Sequence, residues 1–259
     1  MITCNTLGLM GRLGNQMFQY ATLYAVAKQN GYDFGVPYSR VNSSDEFKKF
    51  YLPEIFSLSA KDSSEMSVTK RFQEKYHHFD PDLLSILDNT DIFGYFQTEK
   101  YFINFKEEIK KEFSFFEKTK NFCESFKKSL PSNKKIISIH VRRGDYLKIS
   151  HIHPPCSINY YQKAINYFDK NSFFLLFSDD MPWCVENFKG DKYSFFQNNH
   201  HTSLCMMSLC DGHIISNSSY SWWGAWLGNV DVVIAPKNWF GPDGPQDYQD
   251  IYCKKWITL

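Results

Sequence analysis

The chain has 259 residues, a formal net charge of +1, and 43% hydrophobic against 22% charged residues. These values exclude a disordered chain and the basic footprint of a nucleic-acid-binding protein, and they leave room for two globular domains, each with its own core. The cysteines at 4, 123, 156, 184, 205, 210 and 253 are odd in number and lack any C-x-x-C spacing, which argues against a disulfide framework or a structural zinc site and fits a reducing cytosol.

No charged region followed by an apolar run opens the chain, so no signal peptide is expected. No segment approaches the roughly 20 apolar residues of a membrane helix. Internal repeats and low-complexity stretches are absent.

In chain order, a strand is expected from Ile2 to about Leu9, then the glycine turn Gly8-x-x-Gly11-x-x-Gly14 and a helix over Asn15 to Gln29 closed by Asn30-Gly31. Met17, Ala21, Tyr24 and Lys28 share one face at helical spacing. The turn lacks the spacing of a dinucleotide fingerprint and has no P-loop lysine. It reads as a tight strand-to-helix turn that also lets backbone approach a ligand, with Gly14, Asn15 and Gln16 at the rim of a cleft.

Asp80-Pro81-Asp82 has the D-x-D spacing of a metal site. Proline at the first helical position, with Leu83, Leu84 and Leu87 following, makes it a helix start capped by Asp80. Residues 99–128 interleave Lys, Glu and Phe. They read as an amphipathic helix packed on the core, with at most peripheral membrane contact as the alternative. Leu130-Pro131-Ser132-Asn133 then marks a break, giving domains 1–130 and 131–259.

Beyond the break, Ile136 to Val141 reads as a buried strand that stops at Arg142, Arg143, Gly144 and Asp145. Two guanidiniums at a strand end suit a diphosphate. His151, His153 and Cys156 read as a polar loop rather than metal ligands, because no partner cluster accompanies them.

Phe173 to Phe177 is a second buried strand, ending in Ser178, Asp179 and Asp180. His213 to Ser216 is a third. Asn217, Ser218 and Ser219 form a turn, Tyr220 to Leu227 a helix ending near Gly228, and Val230 to Ile234 a further strand before Pro236.

Strands alternating with crossovers imply a parallel sheet, with ligands beyond its carboxyl ends. Arginines, carboxylates and a hydroxyl-rich helix start at three such ends are what a nucleoside diphosphate needs: phosphate ligands, acceptors for a guanine N–H edge, and backbone N–H groups for an anion. Arg142 and Arg143 already supply positive charge, so Asp179 and Asp180 need hold no divalent cation.

The same residues fall into ordered motifs: GRLGNQMFQYA (Gly11 to Ala21), GYFQTEKYF (Gly94 to Phe102), HVRRGDY (His140 to Tyr146), FSDD, SNSSYSWWGAWL and IAPKNWF (Ile234 to Phe240). Together they resemble glycosyltransferase family 11, the α-1,2-fucosyltransferases, over nearly the whole chain. One departure precedes Met206: His200 to Leu204 lacks the family's usual acid-leucine pair, which puts any role of that acid in holding the donor domain in question.

The resemblance implies an α/β fold of GT-B type, two Rossmann-like domains facing a cleft, with the acceptor on the N-terminal side and GDP-fucose on the C-terminal side. It implies inverting transfer from GDP-β-L-fucose to the 2-hydroxyl of a terminal β-galactoside, without metal or cofactor. Arg142 would grip the β-phosphate, His140 and Asp180 the guanine or its ribose, and Ser218 and Ser219 a phosphate.

Asp145 has the chemistry of a base but reads rather as orienting the arginines, with Arg143 bracing the loop against it. No general base is identified. A lipopolysaccharide O-antigen acceptor and a cytoplasmic location, at most peripheral to the inner membrane, follow for a bacterial member without an anchor. Two rivals are a transferase for another nucleotide sugar or acceptor, such as a protein O-fucosyltransferase with its similar G-R-x-G-N-Q start, and a non-catalytic sugar-binding protein on the same scaffold.

Overall fold

The computed structural model describes residues 1–45, 48–65, 67–228 and 230–259. They divide into two compact units: Met1–Phe116 with Asp247–Cys253, and Glu117–Gln246 with Lys254–Leu259.

The first unit carries β1 (Ile2–Thr3), α1 (Leu13–Asn30), β2 (Phe34–Val36), β3 (Lys61–Asp62), β4 (Lys70–Gln73), β5 (Thr90–Phe93) and α2 (Lys106–Glu112). Its sheet has the order β3-β2-β1-β5-β4, and each neighbouring pair is parallel. The first strand ends at Thr3, well short of Leu9. From there the backbone turns on itself, with Leu9 and Met10 N–H both donating to Thr6 O, so it has no ladder to join.

Helix α1 ends as expected. Gly31 takes φ 68°, and its N–H and that of Tyr32 close on the last carbonyls. Residues 16 to 27 of this helix are buried all round, so its one-sided pattern is muted. Asp80 caps a 3-10 turn over Pro81–Ser85, its Oδ1 accepting from Asp82 N–H at 3.0 Å.

The second unit carries α3 (Glu117–Ser129), β6 (Ile136–Val141), α4 (Ile158–Ile165), β7 (Phe173–Ser178), α5 (Met181–Asn187), β8 (Tyr193–Phe195), α6 (His200–Ser208), β9 (Gly212–Ile214), α7 (Ser219–Gly228), β10 (Val233–Ala235) and β11 (Ile257–Thr258). Its sheet, also wholly parallel, has the order β11-β10-β9-β6-β7-β8. Reading from β8 this is the doubly wound order 3-2-1-4-5-6, whose direction reverses between β6 and β9. Ile137, Ile139, Val141, Phe174, Leu176 and Ile214 fill the core beneath that point.

The boundary lies before α3, not at the 130/131 turn. Helix α3 packs on α6 through Cys123 Sγ to Thr202 O at 3.4 Å, and Phe126 meets the Phe196 ring at 4.8 Å. Residues 247–253 return to the first unit, where Asp250 meets Lys100 at 2.6 Å. The Phe-rich segment is correspondingly two helices rather than one. Phe102 and Phe113 are buried, whereas Phe116 and Phe122 are 43% and 47% exposed. Among the described residues no helix is long and apolar enough to cross a membrane.

Candidate active site

The three strand ends named from the sequence converge in the second unit. Strands β6 and β7 pair with Val141 opposite Ser178. The next residues therefore face one another. Arg142 Nη1 lies 3.0 Å from Asp179 Oδ2, and Arg143 Nε lies 3.0 Å from Asp180 Oδ2. Arg142 Nη2 also reaches Asp145 Oδ1 at 2.7 Å, while Arg143 N–H donates to Asp179 Oδ1 at 2.9 Å.

The bracing expected of Arg143 through Asp145 is therefore made by Arg142, because the turn after Gly144 carries Asp145 back over its own strand end. Arg143 instead stacks on Trp183, its guanidinium carbon 4.4 Å from the ring centroid. Asp180 has a second task, accepting the Trp183 N–H at 3.3 Å as the N-cap of α5. A Cβ at Gly144 would lie 2.6 Å from Asp179 Oδ2, so a larger residue there would displace that carboxylate.

Beside β6, the β9 end is built around Asn217, which is 1% exposed. Its amide donates to Pro154 O and Trp239 O, each at 3.0 Å, and its backbone carbonyl accepts from Tyr146 O–H at 3.1 Å. Asn217 thus joins the three segments, its side chain tying SNSSYS to IAPKNWF and its backbone carbonyl tying it to HVRRGDY. Ser218 is buried and Ser219 opens α7.

The loop after Asp145 folds back so that the His153 ring stacks on Tyr146 at 4.9 Å and meets Phe240 at 5.2 Å. Arg142 lies over the Tyr146 ring at 5.4 Å. Sequence reasoning left His153 in a polar loop and missed Trp183 altogether. The one signal for Trp183 was its place in the first turn after Asp180.

His140 is buried, with Nδ1 2.8 Å from Ser216 Oγ. Burial, reinforced by the Arg142 charge, pushes its pKa down to about 3, so the ring is neutral. His213 is likewise buried, held by Ser138 Oγ at 2.6 Å, with its pKa pushed down to about 3 by desolvation. All seven cysteines are buried thiols. Among the described residues no group of three or more His, Cys, Asp or Glu is arranged to hold a metal ion.

In the first unit the glycine turn behaves as a tight turn, with Gly8 and Gly11 at φ 85° and 73°. Gly14 is buried inside α1. Gln16 does not sit at a rim. It is 0% exposed, donating to Lys49 O at 2.8 Å and accepting Tyr51 N–H at 2.8 Å, which ties the helix start to a neighbouring loop. Asn15 is half-buried and accepts from Gln97 Nε2 at 2.8 Å. The N-terminal and GYFQTEKYF motifs are further joined by Gln19 Nε2 to Gly94 O at 2.9 Å.

Comparison with known proteins matches residues 1–259 to the model of glycosyl transferase family 11. An α-1,2-colitosyltransferase of Escherichia coli is 29% identical over 97% of both chains. The O-antigen biosynthesis glycosyltransferase WbnK of Escherichia coli is 28% identical over 97% of this chain and 99% of its own. Galactoside α-(1,2)-fucosyltransferase 2 of Pongo pygmaeus is 26% identical over 93% of this chain and 73% of its own.

Among solved structures, a NodZ α-1,6-fucosyltransferase soaked with GDP-fucose superposes with a TM-score of 0.57 at 13% identity, covering 91% of this chain and 94% of that one. The fold is thus of GT-B type. Matched from end to end, the chain belongs to glycosyl transferase family 11 and is an enzyme of the α-1,2-fucosyltransferase family.

Proposed function

We propose that the protein transfers L-fucose from GDP-β-L-fucose to the 2-hydroxyl of a terminal β-galactoside, with inversion and without metal, in the synthesis of a lipopolysaccharide O-antigen. The observation that carries this reading is the pair Arg142 and Arg143 at the end of β6, where the sheet order reverses, beside carboxylates and the start of α7. The departing diphosphate gains charge as the sugar becomes oxocarbenium-like, and fixed guanidinium charge at that place stabilises it.

In this reading Arg142 takes the β-phosphate and Asp145 orients it, the pair forming the catalytic core. Ser218 and Ser219 bind phosphate. His140, neutral, and Asp180 meet the guanine or ribose, with Arg143 and Asp179 shaping their side of the site. Asn15 belongs to the acceptor side, while Gly14 and Gln16 support it from within α1. In this reading the reaction takes place in the cytoplasm.

Product linkage by NMR and calorimetry with nucleoside diphosphates test the proposal. A 1,2 linkage is expected. GDP should bind at least tenfold more tightly than UDP, about 1.4 kcal/mol, and activity should persist in EDTA. A 1,3 or 1,6 linkage, equal affinities or EDTA inactivation would overturn it.

The colitosyltransferase relative favours a second reading, colitose in place of fucose. The two sugars differ at the 3-hydroxyl. Competition between their GDP donors decides: a higher kcat/KM for GDP-colitose replaces the first reading with the second.

A further inference from the structure

Glu74 follows directly on β4, and its carboxylate is committed to the turn leaving β5. Oε2 accepts Tyr95 N–H at 2.7 Å and Oε1 accepts Phe96 N–H at 2.8 Å. The turn needs holding. Phe96 is fully buried and, though not glycine, takes φ 53°. Gly94 is fitted to the carboxylate, since a Cβ there would lie 2.4 Å from Glu74 Cβ.

The residue after the turn, Gln97, donates to Asn15 Oδ1 at 2.8 Å. Glu74 thus connects the carboxyl end of β4 to that of β5 and, through Gln97, to the first turn of α1. Ligands of parallel sheets bind at these strand ends.

Resting on the reading above, we propose that Glu74 is a positioning residue for the transfer: it holds the Gly94–Phe96 turn so that Gln97 fixes Asn15 on the acceptor side. Burial pushes the Glu74 carboxyl up to about 7, although the two backbone N–H groups favour its ionised form. The groups facing it are Asp247, whose negative charge raises it further, and the phenols of Tyr95 and Tyr101; Asp247 is in turn approached by His77 and His78.

The ionised carboxylate can accept both N–H groups; the protonated acid presents an O–H to one of them. Positioning therefore weakens as pH falls through about 7. Stability runs the other way. A carboxyl raised in the folded state adds stability below its ordinary range, and that stability is lost as pH rises through 7. A purely structural role would move activity and stability together.

The test is Glu74→Gln with Gln97→Met, each assayed for turnover, KM for GDP-fucose, melting temperature and pH profile. For Glu74→Gln, turnover at pH 8 should fall about tenfold or more, the scale of a displaced positioning group. KM for GDP-fucose should stay within about twofold, melting at pH 8 should be no lower than in the parent, and the acid limb near 7 should vanish. Gln97→Met, which keeps the carboxylate contacts, should lose similar turnover and retain the limb. Parent-like turnover in Glu74→Gln, or turnover lost only in step with melting temperature, overturns the proposal. A parent protein that transfers no fucose overturns the functional reading instead.

Discussion

Arg142 meets Asp179 at 3.0 Å because Val141 lies opposite Ser178 where β6 and β7 pair in parallel. Arg143 meets Asp180 at the same distance one step further on. A slip of one residue in this register would break both pairs. The protein's own carboxylates thus occupy guanidinium N–H groups that, on the proposed reading, a diphosphate would take.

The two arginines should respond differently to lysine. Arg142→Lys keeps the charge but loses the planar fork, and turnover should fall by roughly two to three orders of magnitude. GDP affinity should change much less. Arg143→Lys gives up the Trp183 stack and the Asp180 contact and should cost about 1 kcal/mol of stability. Turnover, GDP affinity and melting temperature of both variants separate the roles. Near-normal turnover in Arg142→Lys, with turnover lost in a stably folded Arg143→Lys, would reverse the assignment.

Asp179 competes with any anion for Arg142. Asp179→Asn keeps an oxygen for Arg143 N–H and removes the charge facing the guanidinium. Inorganic pyrophosphate should bind about threefold to tenfold more tightly, a gain of about 0.7–1.4 kcal/mol. Titration calorimetry reads this directly. Weaker binding would show that Asp179 supports the anion site rather than occupying it.

Buried neutral histidines make the fold sensitive to acid. His140 and His213 both have their pKa depressed to about 3, so below the ordinary histidine range the unfolded chain takes up protons that the folded chain does not. Stability should fall as pH drops from about 6.5 toward 5, by on the order of 2 kcal/mol per histidine. Glu74 opposes this over part of the range, so the fall should be steeper in Glu74→Gln. Chemical denaturation at pH 7, 6 and 5 measures both slopes; a flat profile would contradict the neutral assignment.

Asn217→Asp tests the junction behind the site. The variant keeps an acceptor, loses both donors to Pro154 and Trp239, and places a charge where only 1% of the residue is exposed. A loss on the order of 3 kcal/mol is expected, read from denaturant midpoints. GDP binding should weaken with it, because Ser218 and Ser219 follow directly.

Much of the second unit was legible in its sequence. Ile136–Val141 and Phe173–Ser178 are short apolar runs buried on both faces, and each ends in charge where it leaves the sheet. The Asn217 turn and the following helix announced themselves by polar residues before an apolar run. The first unit was less legible. Strand β1 is two residues long, and the chain beyond it makes turn hydrogen bonds that no apolar pattern encodes. Helix α1 is buried nearly all round, so Gln16, read as a rim residue, is an interior tie. In the segment 99–128, the interruption between Phe113 and Phe116 was hidden by a uniform Lys, Glu and Phe composition.

By itself the sequence determined the class of fold, the strands whose ends carry the site and the residue types placed there, because burial on both faces and the stops after it are local properties of the chain. Which carboxylate meets which arginine, that Asn217 joins three segments, and that Glu74 holds the turn of Gly94 to Phe96 emerge only from the folded arrangement. Those relations depend on strand register and on contacts between residues far apart in the chain. Spacing along the sequence carries no record of them.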